Sequence, residues 1–202
     1  MKLSPALPLL TTERLIITAG DPEMAAELAD YQRRNLAHFC RWDPFVPPSF
    51  FEVATQRERI VQGLKAFAEG SAYRYWLQPR TLPARIIGSV NLSQVSRGVF
   101  HSAVLGYGLD EQHLGQGLMH EALQAVVAEA FSPRINLHRL QAAAQPANGP
   151  SLATLTRLGF EPEGLARDYL FINGTWRDHR LFALRNPDFR PPSGWADTEQ
   201  VA

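Results

Sequence analysis

LGYGLDEQHLGQGLMHEALQAVVAEAF, residues Leu105–Phe131, is the stretch whose reading decides the fold. Leu105, Tyr107 and Leu109 alternate with small residues, as a strand with two unlike faces does. Asp110 to His113 is a polar break. Gly115 and Gly117 bracket one residue, so the backbone can bend sharply there and let a bulky group approach. From Leu118 onward, Met119, Ala122, Leu123, Val126, Val127 and Ala130 recur at helical spacing. A helix that opens out of a glycine turn leaves several backbone N–H groups unpaired. Together with the helix dipole they form an anion site. Two glycines are a weak motif, and on them alone an ordinary strand–loop–helix connection stays open.

The flanks extend the pattern. Arg14–Ala19 reads as a first strand, and Asp21-Pro22 as the N-cap and first position of a helix continuing towards Phe39. Residues 41–50 (RWDPFVPPSF) form a proline-broken aromatic loop, followed by a more polar helix over Glu52–Glu69 that Gly70 ends. Tyr73–Leu77, Arg85–Val95 and His101–Leu109 read as an antiparallel meander arriving at the glycine loop. After the 118–131 helix, Leu137–Ala143 reads as a strand parallel to 101–109, closing a βαβ unit. A short helix over Ser151–Leu158 follows. Strands at about 164–172 and 175–184 are joined by Asn173-Gly174, a strong hairpin signal. The expected fold class is α/β (α+β): a mixed, mostly antiparallel sheet with helices on both faces.

Composition narrows the class. At 202 residues, with 45% hydrophobic and 20% charged residues, the chain suits one soluble domain with a substantial core. A formal net charge of zero provides no global field for nucleic acid or anionic membrane. No apolar run approaches the roughly 20 residues that span a bilayer, and Pro5 and Pro8 interrupt the N-terminal apolar stretch that would otherwise hint at a leader. The lone Cys40 rules out an internal disulfide and fits a reducing compartment. A cytoplasmic protein is expected.

With these elements in order, the chain resembles the GNAT superfamily of acetyl-CoA-dependent N-acyltransferases. Within it the resemblance is to the RimJ/RimL group, which acetylates the N-terminal alanine or serine of ribosomal proteins. The matching pieces are TERL (12–15), Asn35 with Trp42 and Pro44, IGSVNLS (87–93), Arg97-Gly98 and the 105–123 stretch. LHRLQA (137–142), Asn148–Ser151, RLGFEPEG (157–164) and Asn173–Asp178 complete the set. Each is weak alone; their order and spacing make the match specific. The resemblance covers roughly Thr12–Leu184, which would make 12–184 a GNAT domain and 185–202 a proline-rich tail.

The resemblance implies acetyl-CoA as cosubstrate, no metal, and a protein N-terminus of ribosomal-protein type as partner. It implies no direct contact with nucleic acid or membrane. The family's phosphate-binding pattern, Gln/Arg-x-x-Gly-x-Gly/Ala, falls on Leu114, Gly115, Gln116, Gly117, Leu118 and Met119. Leu114 and Met119 depart from it, but backbone groups do the main binding. The backbone of Tyr107, Gly108 and Leu109 would run along the pantetheine, with strand 137–143 splayed away beside it and Asn148 on the pantetheine arm. Asn148 could equally be an Asx-turn residue, since Asn-Gly-Pro is turn chemistry.

Acyl transfer from a thioester to an amine needs a neutral nucleophile and a proton for the departing thiolate. An α-amine, with pKa near 8, is already partly neutral at pH 7, so a strong base is unnecessary. No such base stands out. His101, His138 and Asp168 lie on predicted strands near the expected cleft but read more simply as structural residues. Where many family members carry a tyrosine seven residues after the Asn148 position, this chain has Leu155. The resemblance passes the thiolate role to Ser151, which could also be only a helix-capping hydroxyl. Two other functions stay open: acetylation of a small-molecule amine, and a CoA-binding protein without turnover. The substrate-side segments would be Phe39–Phe51 and Asp168–Asn173.

Overall fold

The structure, a computed structural model, describes residues 10–195. The proline-interrupted N-terminal stretch up to Pro8 and the last residues of the tail lie outside them. An edge strand β1 (Leu10–Thr11) precedes β2 (Leu15–Thr18). Asp21 then caps a single 3-10 turn, its carboxylate accepting from the Glu23 N–H, and α1 (Ala25–Arg34) and α2 (Leu36–Phe39) follow. The expected continuous helix to Phe39 is therefore broken at Asn35. There the Asn35 amide donates to the Tyr31 carbonyl and its oxygen accepts from the Glu111 N–H. Helix α3 (Val53–Glu69) ends at Gly70, whose left-handed φ of 70° closes it.

Next come β3 (Tyr73–Pro79), β4 (Gly88–Ser96), β5 (Ser102–Leu109) and α4 (Leu118–Phe131). They lead to β6 (Arg139–Ala144), α5 (Gly149–Arg157) and the long hairpin of β7 (Glu161–Ile172) and β8 (Thr175–Arg185). Strand β4 starts three residues later than Arg85. Ile86 and Ile87 are fully buried ahead of it; the Ile87 backbone still bonds to Leu77 and Asp110 on either side, while the Ile86 carbonyl turns to Arg34.

The eight strands form one sheet in the order β1-β2-β3-β4-β5-β6-β8-β7. Every pairing is antiparallel except β5 with β6, the parallel pair of the βαβ unit. Tyr107 of β5 reaches α5, while Gly108 faces Phe39 and Tyr31. Successive strand residues point to opposite faces, so α5 and the α1/α2 pair cover opposite sides of the sheet. One apolar core joins them, built on Leu15, Ile17, Leu77, Val90, Leu123 and Leu140. Among the described residues no helix is long and apolar enough to cross a membrane.

The proline-rich segment after β8 stays on the surface for most of its described length but is anchored at its start. The buried Asn186 amide donates to the Leu137 carbonyl, and Phe189 packs on His101 and His138. Both histidines thus sit at the start of β5 and β6, packed by aromatic rings. At about 3.3 Å per residue, the eight residues of β5 put them roughly 25 Å from the glycine loop. The expectation that they lie near the cleft is not met. Asp168 is exposed, in a left-handed conformation within the irregularity of β7, where its N–H donates to Asp178.

Candidate active site

The βαβ unit opens where β5 leaves β6. The two strands pair from Ser102↔Arg139 to Leu105↔Ala142 and then part, while β5 stays paired to β4 as far as Leu109↔Gly88. The direction of the freed backbone groups follows from alternation. The His101 carbonyl accepts from the N–H groups of His138 and Arg139 on the β6 side, and the Asp110 N–H donates to Ile87 on the β4 side. Odd-numbered residues of β5 therefore face β6, and Tyr107 and Leu109 present their N–H and C=O groups along the released edge. An extended, amide-containing chain can add there as a strand would.

At the end of that edge the chain turns. Asp110 caps a 3-10 turn over Glu111–His113, and Gly115 and Gly117 follow at φ 72° and 76°. These left-handed values explain the glycines, since neither has a crowded Cβ position. Gly117 caps α4 without any side-chain hydrogen bond, and the first return bond is from the Glu121 N–H to the Gly117 carbonyl. The N–H groups of Leu118, Met119 and His120 have no acceptor among the described residues. They lie at the positive end of a 14-residue helix, an arrangement that suits a pyrophosphate. Met119 itself is core, 8% exposed, so its departure from the family pattern is taken up by packing rather than by the loop surface. Leu114 is 46% exposed, in extended backbone before the first glycine.

Two ionic clamps hold this loop, and neither was singled out from the sequence. On one side Arg14 donates through Nε to Glu121 at 2.7 Å and through Nη1 to the Gln116 carbonyl at 2.8 Å. The Arg14 backbone N–H and the Thr12 hydroxyl also donate to Glu121. On the other side Arg34 donates to Asp110 at 2.8 Å, to Asp30 at 2.6 Å, and to the Ile86 carbonyl. Burial works against the charged form of Asp110. Arg34, the Gln112 N–H and Asn35 outweigh it and hold the carboxyl below the usual carboxylate range. Burial likewise opposes ionisation of Glu121, and its bonds to Thr12 and Arg14 lower it overall.

The other end of the released edge is neutral. Tyr107 projects towards the first turn of α5, where its hydroxyl lies 2.8 Å from Ser151 Oγ and 3.3 Å from the Ser151 carbonyl. Burial pushes the Tyr107 phenol up, the Ser151 hydroxyl partly opposing, so it stays protonated at neutral pH. Asn148 caps α5, its Oδ1 accepting from the Ser151 N–H at 3.2 Å. The cap thus belongs to Asn148, and the Ser151 hydroxyl is free for Tyr107. Leu155 is buried in the core, so no tyrosine is available from that position.

The two expected substrate-side segments meet. The Asn173 amide, in the turn between β7 and β8, donates to the Cys40 carbonyl, and the Gln145 amide reaches the Trp42 carbonyl at 3.5 Å. Beside Cys40 an open depression of about 650 Å³ is lined mainly by apolar residues, among them Leu36, Phe45, Val46 and Phe51.

A released strand edge running from a neutral hydroxyl pair to a left-handed glycine loop is the geometry of a CoA-dependent acyltransferase. The profile of the acetyltransferase (GNAT) domain family matches residues 14–161, and the chain belongs to that family. It is an acetyl-CoA-dependent N-acetyltransferase. Over 183 residues it is 39% identical to the ribosomal protein uS5-alanine N-acetyltransferase of Escherichia coli K12, covering 90% of this chain and 93% of that one. The crystal structure of a ribosomal-protein-S5-alanine acetyltransferase from Vibrio fischeri superposes with a TM-score of 0.87 at 32% identity, over 91% of this chain and all of that one. Mycobacterium smegmatis RimJ, solved with CoA-disulfide, gives 0.78 at 25% identity, over 85% and 81%.

Proposed function

We propose that this enzyme acetylates the α-amino group of a protein N-terminus beginning with alanine or serine, of the ribosomal-protein type, in the cytoplasm. The observation that carries the acceptor is the similarity over nine-tenths of the chain to an enzyme named for alanine N-acetylation of a ribosomal protein. The lone cysteine agrees with a reducing compartment. Residues 12–184 form the catalytic domain in this reading, and 185–202 a C-terminal extension.

The site residues take these roles. The loop Leu114, Gly115, Gln116 and Gly117 wraps the CoA pyrophosphate, and the free N–H groups at the start of α4, those of Leu118, Met119 and His120, bind it. The released edge at Tyr107, Gly108 and Leu109 takes the pantetheine amides, with Asn148 bordering its arm through the amide nitrogen that capping leaves free. Acetyl-CoA supplies the activated acyl group. The backbone N–H at the released edge can polarise the thioester carbonyl, and Ser151 stands where a hydroxyl can donate to the departing sulfur. An α-amine needs only modest deprotonation, which agrees with a site lacking a dominant base.

The test is a pair of peptides incubated with the enzyme and acetyl-CoA and read by mass spectrometry. One has a free Ala or Ser N-terminus; the other has a blocked N-terminus and an internal lysine. Acetylation of the first and not the second is expected. Efficient lysine acetylation with the free N-terminus ignored, or transfer only to small amines, overturns the acceptor assignment.

A further inference from the structure

Resting on the CoA and Ser151 placements above, we infer that Tyr107 is a positioning residue for thiolate departure, acting through Ser151 as a two-hydroxyl relay. Three observations carry this. The Tyr107 hydroxyl is 2.8 Å from Ser151 Oγ although the residues are 44 apart in sequence. Tyr107 lies two residues beyond the last β5–β6 pair, so the contact spans the gap made by the parting strands. The Ser151 N–H is already satisfied by Asn148, so the serine is not needed as a helix cap and its hydroxyl has Tyr107 as its side-chain partner.

The direction of the bond matters. A serine hydroxyl has one proton, and if it donates to the phenol it has none for sulfur. The phenol proton has two acceptors within reach, the Ser151 Oγ at 2.8 Å and the Ser151 carbonyl at 3.3 Å; the relay uses the shorter contact, with Tyr107 donating to Oγ and the serine's own O–H left for sulfur. As the amine nitrogen bonds to the acyl carbon, the C–S bond breaks with its electron pair going to sulfur. Ser151 gives its proton to sulfur and takes one from Tyr107. The proton lost by the amine nitrogen returns through solvent to the phenol oxygen, so the products are an amide and a neutral thiol with both side chains restored. Ser151 alone would end as an alkoxide, a much stronger base than phenolate.

The experiment compares wild type, Tyr107→Phe, Ser151→Ala and the double variant by release of free CoA thiol, with melting temperature measured for each. Thiol release is common to every acceptor amine, so it is run with whichever amine the wild type uses. Failure of the acceptor assignment therefore leaves this test intact. Tyr107→Phe removes one oxygen and keeps the ring. It should lower kcat about tenfold, below the range of about 10²- to 10⁴-fold usual for general acids because a thiolate leaves readily. KM for acetyl-CoA should stay within about twofold, and the effect should vanish when Ser151 is already alanine. A Tyr107→Phe enzyme with unchanged kcat overturns the relay. So does an equal loss in the Ser151→Ala background, or a loss confined to KM and melting temperature, each of which marks a structural tether.

Discussion

The two ends of the released β5 edge are held by different chemistry. The glycine-loop end is clamped by charge: Arg14 with Glu121 and the Gln116 carbonyl, Arg34 with Asp110 and the Ile86 carbonyl. The Ser151 end carries a hydroxyl pair and an amide cap, with no ion pair in contact among the described residues. The difference follows from what each end does. Binding a doubly charged pyrophosphate needs backbone donors fixed in place, and fixed charges do that even near the surface. Departure of a thiolate needs a group that holds a proton at neutral pH, which two uncharged hydroxyls do.

The largest expected effect comes from removing the buried anchor of the loop end. Arg34 and Asp110 have side chains 16% and 2% exposed. Arg34→Ala leaves the Asp110 carboxylate buried without its main partner, and should destabilise the fold by about 3 to 5 kcal/mol. Chemical denaturation reads this directly; a loss under about 1 kcal/mol would mean the clamp is ornamental. Next, Gly117→Val forces a β-branched residue into a left-handed conformation beside Arg14. It should weaken CoA binding at least tenfold, about 1.4 kcal/mol, in calorimetric titration of a folded variant.

A smaller effect separates the clamps by pH. Glu121 ionises more readily folded than unfolded. Its contribution is therefore present above the unfolded value, about 4.3, and is lost as pH falls through the lower folded value. Glu121→Gln should lower the unfolding free energy slightly at pH 7, by about 1 kcal/mol or less given the half-exposed Arg14, and the gap from wild type, followed by melting temperature against pH, should close in acid. A gap that widens in acid contradicts the sign.

Some of this was legible in the sequence for local reasons. Helix α4 has the bounds that its apolar period and flanking Gly117 and Ser132 indicate, and the β7–β8 turn sits on Asn173-Gly174. The parallel β5–β6 pair follows from a helix lying between two strands. What depended on distant partners was not legible. Asn35 breaks the first helix because its side chain serves Glu111, and β4 starts only at Gly88 because the Ile86 carbonyl is taken by Arg34 from α1. The Arg14–Glu121 clamp joins residues 107 apart, and the Tyr107 hydroxyl gains its partner only where α5 brings Ser151 to it, 44 residues on. TERL marked Arg14 as part of a pattern but supplied no partner.

The contrast between a binding end and a chemical end is tested most directly by steady-state kinetics of Ser151→Ala beside Gly117→Val, with acetyl-CoA varied at saturating acceptor. Ser151→Ala should lose about tenfold in kcat with little change in KM, and Gly117→Val should raise KM for acetyl-CoA at least tenfold. A Ser151→Ala enzyme with full kcat and a raised KM, or a Gly117→Val enzyme with an unchanged KM, would contradict the account.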